Sequence, residues 1–309
     1  MKNKINIWLI ILPTILFVLL VSTALIIIWT WENPLNINAQ IEYDAFGTYG
    51  AFFGGVIGTL FAIAGVIFVY FTYKNQVDFH EKEQIESRFF ELIKLHDKNV
   101  EELKNIDKDI FNFYIKNIKN FVKIVDEYNI SESKNWDGKT KVKLGYLYFF
   151  YGSSEYTAER LTGISVEVDE ITQLNLYIKA LGIEFNGAFG NFGKYFRQLF
   201  QIVTYIDNKS ILKYKEKEQY IKSIRVRLNI EEQYLLFLNS LVSMGLDWEK
   251  GKDKQNKQLI TKYNLLKNIP KEYIQIDGAD FKTEYPNIHY EFMGDKKSEE
   301  RKRLESLYF

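Results

Sequence analysis

AFGTYGAFFGGVIGTLFAIAGVIFVYFTY, residues 45–73, decides the fold: it runs 29 residues without a charge, bounded by Asp44 and Lys74. About 20 apolar residues cross a bilayer as a helix, so this stretch spans one with tilt to spare. Gly50, Gly54, Gly58 and Ala62 recur every four residues, which stacks them on one helix face. Small residues let two backbones approach closely in lipid, where hydrophobic drive between helices is weak. Two readings of this face stand: a helix–helix interface that builds a homo-oligomer, or a face that packs on a neighbouring membrane helix of the same chain.

Upstream, Ile5–Trp31 is a second charge-free run of 27 residues, ending in Trp29 and Trp31. A signal peptide has an apolar core of about 7–15 residues and a small-residue cleavage site. This core is longer, and its tryptophans suit a membrane–water interface, so we read an uncleaved transmembrane helix. The connector, residues 32–44, carries Glu32, Glu42 and Asp44 and no Lys or Arg. Lysines sit before the first span and directly after the second, at Lys74 and Lys82. The positive-inside rule then places both termini in the cytoplasm and the connector outside.

The expected architecture is all-α, in three parts. Residues 1–73 form a two-helix transmembrane hairpin, with spans at 5–31 and 45–73. Residues 74–106 form a helical stalk that continues the second span, because Ile85, Phe89, Leu92, His96, Val100 and Leu103 step by three or four with charges opposite. Residues 107–309 form a cytoplasmic helical domain. Within it, helices are expected over 107–129, 171–185, 194–207, 230–244 and 259–266. Asn229 with Glu232 three residues on forms a capping box, and Gly245 is a stop signal. Leu144–Tyr151 is ambiguous between helix and buried strand. Asn186–Gly193 is expected as a glycine loop without the order of a phosphate cradle. The charged tail, 296–309, is expected to fray.

Composition excludes several chemistries. Lys+Arg and Asp+Glu balance at 40 each, against the basic excess of a dedicated nucleic-acid binder. The chain has no cysteine and three histidines, His80, His96 and His289. Disulfides, thiolate nucleophiles and cysteine-based metal sites are therefore excluded, and the sequence calls for no metal or other cofactor.

The residues also resemble a known family. FFGGVIGTLFAIAGVIFVYFTYKNQ with ESRFFELIKLHDK, then KYFRQLFQIVTYID, RVRLNIEEQYLLFLNSL and LITKYNLLKNIP, are similar in content and order to the AbiC-like phage abortive infection proteins of bacteria. The likeness covers about Gly47 to Pro270. It departs at Lys194, where the family has His before Tyr-Phe-Arg, and at Asn229, where it has Ser. The first departure puts a fixed charge where the family has a titratable group. The resemblance implies antiviral defence, in which an infected cell is stopped or killed before phage progeny mature. It implies no reaction.

No catalytic constellation stands out. Arg88 and His96 lie eight residues apart, about 12 Å along a helix, wider than the arginine–histidine spacing of helical ribonucleases. Asp97, Glu102 and Lys104 mimic a nuclease set but fall on one amphipathic helix. Arg197, Arg225 and Arg227 sit in or beside apolar helices, so each must be paired or reach out along its stem. Either they pair with acids such as Glu231 or Glu232, or they contact a ligand or phage factor, with Tyr195, Phe196 and Arg197 at the centre and His96 as a further candidate. Three functions are weighed: a membrane-anchored abortive-infection effector with an unidentified phage or host trigger, a membrane-tethered nuclease acting on RNA, and a membrane scaffold with no defence role. Dye entry during arrest marks membrane damage, degraded RNA marks the nuclease, and indifference to phage marks the scaffold.

Overall fold

The computed structural model describes Leu20, Thr23, Gly47, Gly50, Ala51 and residues 53–308, apart from 153–165, 184–185, 251–256, 274, 277 and 295. The expected first span and the connector lie outside the described residues, Leu20 and Thr23 excepted. The chain divides into two units, 1–75 and 76–309.

In the first unit, a π-helical turn, Phe53–Ile57, leads into helix α1, Gly58–Ile106. Gly54 lies in the π turn, Gly58 opens α1 and Ala62 follows one turn on. A Cβ at Gly50, Gly54 or Gly58 would meet nothing within 4 Å. The apolar part of α1 is exposed on every side, as Leu60, Val66 and Val69 illustrate. A helix that is apolar all round is either core or membrane span. Here the apolar window has a mean hydropathy of 2.1 and none of it is buried, so by length and composition it can cross a bilayer. Its hydroxyls suit that solvent: Thr72 donates to the Phe68 carbonyl at 2.9 Å, and Thr59 to that of Gly55. Neither leaves a donor unsatisfied in hydrocarbon.

The second unit is helical, with one two-residue antiparallel ladder that pairs Gln275 with Asp280 and Ile276 with Ala279. It takes in the later part of α1, where Ile85, Phe89, Leu92, Ile93, His96, Asn99 and Leu103 are buried. The helices that follow are α2 (Ile110–Ser131), α3 (Gly138–Tyr151), α4 (Val168–Ala180), α5 (Phe189–Asp207), α6 (Tyr214–Arg225), α7 (Ile230–Ser240), α8 (Leu259–Tyr263), α9 (Phe281–Glu284) and α10 (Glu299–Ser306). Two are central, buried on every face along most of their length: α3 from Leu144 to Phe150, and α7 from Glu232 to Ser240. α3 packs on α2, and α7 packs on both. The α2–α3 crossing is close because Gly145 has no side chain; a Cβ there would stand 2.8 Å from the Val122 backbone nitrogen.

Several expectations change. The ambiguous Leu144–Tyr151 run is helix, opened by Asp137, whose carboxylate accepts from the Thr140 N–H at 2.8 Å. The glycine loop is shorter, since α5 begins at Phe189 and takes in Gly190 and Gly193. Burial of Phe192 and Tyr195 anchors that early start. α7 stops at Ser240, and a 3₁₀ turn, Ser243–Trp248, follows. Gly245 sits inside that turn against the Asn239 carbonyl, where a side chain has no room. The charged tail forms helix α10. Ser298 caps α10 by accepting from the Arg301 N–H, and Arg301 is 1% exposed.

Candidate functional site

α5 repeats an apolar residue at helical spacing, and Tyr195, Leu199, Ile202 and Ile206 are all buried. Tyr195 heads this face. Its ring lies 4.9 Å from that of His96 on α1 and 5.6 Å from that of Phe111 on α2, centroid to centroid. Its hydroxyl donates to Glu232 Oε1 at 3.0 Å. Glu232 is the third residue of α7, and the capping box read from the sequence is present in full. Asn229 Oδ1 accepts from the Glu232 N–H at 2.7 Å, and Glu232 Oε2 accepts from the Asn229 N–H at 2.9 Å. One carboxyl thus caps α7 and anchors α5. Burial pushes the Glu232 carboxyl above the usual carboxylate range, against the donors that favour the charged form.

His96 is 5% exposed. Its Nδ1 has no partner among the described residues. Burial pulls its pKa down to about 4, against the attraction of Asp97 and with the help of Arg227, so the imidazole is neutral at pH 7. It borders a cavity of about 340 Å³ whose polar lining includes Asp97, Lys104, Arg227 and Glu232. Arg227 donates to Asp97 Oδ2 at 2.8 Å, with both side chains about half exposed. The expected pairing with an acid is present for Arg227, with Asp97 in the place of Glu231 or Glu232. Lys194 pairs with Glu102 at 3.1 Å. The nuclease-like set of Asp97, Glu102 and Lys104 is therefore divided among ion pairs and a cavity wall. Arg88 pairs with Glu91 on an exposed face and does not converge with His96. Among the described residues, no three His, Asp or Glu side chains could hold a metal ion.

Arg225 is also corrected. It is buried and makes no ion pair among the described residues; it donates instead to the carbonyls of Tyr263 and Asn264, at 3.1 and 3.4 Å. These lie at the C-terminal end of α8, where helical carbonyls lack partners. Arg301, which sequence reasoning missed, serves the same end, donating to the carbonyls of Thr261 at 2.5 Å and Lys262 at 3.1 Å, and to Glu305 at 2.9 Å. Only an arginine in a charged tail hinted at it.

Tyr195 and Arg197 part company. Phe196 and Arg197 line a second cavity, also of about 340 Å³, on a different side of α5, with Phe189, Asp247 and Trp248. The guanidinium carbon of Arg197 stands 5.9 Å from the Phe189 ring centroid. Both cavities draw on α5.

Residues 190–274 match the model of the family described as putative phage abortive infection protein. The abortive infection match opens one residue into α5 and runs through α8, so it carries Tyr195, Arg197, Arg225, Arg227 and Glu232. His96, on α1, stands outside it. No curated protein and no solved structure matches the chain at a significant level.

Proposed function

We propose that this chain serves phage defence by abortive infection, as a membrane-anchored protein whose helical domain answers to infection. The carrying observation is the abortive infection match over residues 190–274, which contributes residues to the lining of both cavities. The exposed apolar part of α1 supports anchoring. In this reading, spans 5–31 and 45–73 form a hairpin with both termini in the cytoplasm, and the face of Gly50, Gly54, Gly58 and Ala62 joins copies in the bilayer. The domain perceives a phage or host factor, and its response arrests the cell.

Growth of a bacterial host with and without the gene, challenged by a phage panel, tests this. Protection at low phage-to-cell ratio with collapse of the culture at high ratio is expected. Equal lysis across the panel, with or without the gene, refutes it.

A further inference from the structure

The second cavity has the make-up of a ligand site. Such sites run to about 300–1,000 Å³, lined by aromatic side chains with a few polar groups. This one holds about 340 Å³. Phe189 and Tyr151 stack with centroids 5.9 Å apart, and Phe200 meets Trp248 edge-on at 5.0 Å. Among these rings stand two opposite charges, Arg197 and Asp247. They do not pair with each other, and among the described residues neither has an ion-pair partner. That sets them apart from Arg227, Arg225 and Arg301, each of which is engaged. Gly193, one turn before Arg197, leaves room for the guanidinium beside it: a Cβ there would stand 3.2 Å from Arg197 Nη1.

The chemistry that satisfies all of this has a flat ring for the aromatic walls, an anionic group for the guanidinium and an N–H edge for the carboxylate. A guanidinium grips phosphate bidentately. Aromatic rings stack on any base, and a carboxylate accepts from an exocyclic amino group. We infer that the Arg197–Asp247 cavity binds a nucleotide with an amino-bearing base, phosphate on Arg197 and amino edge toward Asp247. This does not rest on the defence reading: binding without protection would refute only that reading, and protection without binding only this one.

Calorimetric titration of the full chain in detergent micelles tests it, with AMP, CMP, UMP, adenosine, inorganic phosphate and free tryptophan as separate probes. AMP and CMP should bind about tenfold or more tighter than adenosine or phosphate alone. Arg197→Ala, an exposed position, should weaken AMP by about tenfold or more while leaving the unfolding midpoint in place. Asp247→Asn should erase the preference for AMP and CMP over UMP. No heat from any nucleotide at millimolar concentration, undiminished binding in Arg197→Ala, phosphate binding as tightly as AMP, or tryptophan outcompeting the nucleotides would each overturn the assignment.

Discussion

Two groups of arginines show how one residue type is put to opposite uses. Around the C-terminal end of α8, Arg225 and Arg301 are buried and donate to four consecutive carbonyls, Thr261 to Asn264. Asn264 turns the chain there in the left-handed region, at φ 51°, and Tyr214 adds a hydroxyl donor to the Lys262 carbonyl. On the other side of α5, Arg197 is exposed over one aromatic ring and joined to no acid among the described residues. A buried guanidinium that donates to several buried carbonyls is costly to remove. An exposed one beside a cavity costs the fold little and is available to a ligand. Burial and partner separate the two, not the local sequence.

The largest effect should come from Arg301→Ala. It removes a buried guanidinium that donates to the Thr261 and Lys262 carbonyls and to Glu305, which keeps Lys297 as a partner, and should lower the unfolding free energy by about 3–5 kcal/mol in a denaturant titration. A loss below about 1 kcal/mol would mean that α10 is not integral to the fold.

Next comes a pH effect at His96. Its folded pKa of about 4 lies below the ordinary value of about 6.5. The neutral form is therefore favoured by folding, and this stability is fully present above about pH 6.5 and lost as pH falls toward the folded pKa. Wild type should lose on the order of 3 kcal/mol relative to His96→Phe between pH 7 and 4. A difference that stays constant over that range would contradict the buried neutral imidazole.

Smaller again, Tyr195→Phe removes the hydroxyl that serves Glu232 and should cost about 1–2 kcal/mol in the same titration. If the cost vanished, the α5–α7 anchor would be packing alone. Smallest of all, Arg227→Ala breaks a half-exposed pair with Asp97 and should cost under about 1 kcal/mol, fading as salt is raised. A loss like that of Arg301 would place Arg227 with the structural arginines.

Local periodicity was legible. The stripe from Ile85 to Leu103, the face from Tyr195 to Ile206 and the Asn229–Glu232 box could all be read, because each depends on residues within a few positions of one another. The roles of Arg225 and Arg301 could not, since their carbonyl partners lie 38 to 40 residues away. That Arg227 pairs with an acid could be expected from its place beside an apolar helix, but which acid could not, since Asp97 lies 130 residues off. Gly190 and Gly193 suggested a loop by local propensity, and burial of Phe192 and Tyr195 overrode it. The polar tail suggested fraying until Arg301 was seen to turn inward. Of the candidate site residues, His96 and Arg227 line one cavity, with Tyr195 packed against the His96 ring, and Phe196 and Arg197 line the other, a division that only the packing of α5 reveals.

Counting phage released and colonies formed by individual infected cells tests the central claim most directly. Cells carrying the gene should release few phage and form no colonies after infection, while cells without it release a full burst. A full burst from carriers, or carriers that survive infection to form colonies, would contradict abortive infection.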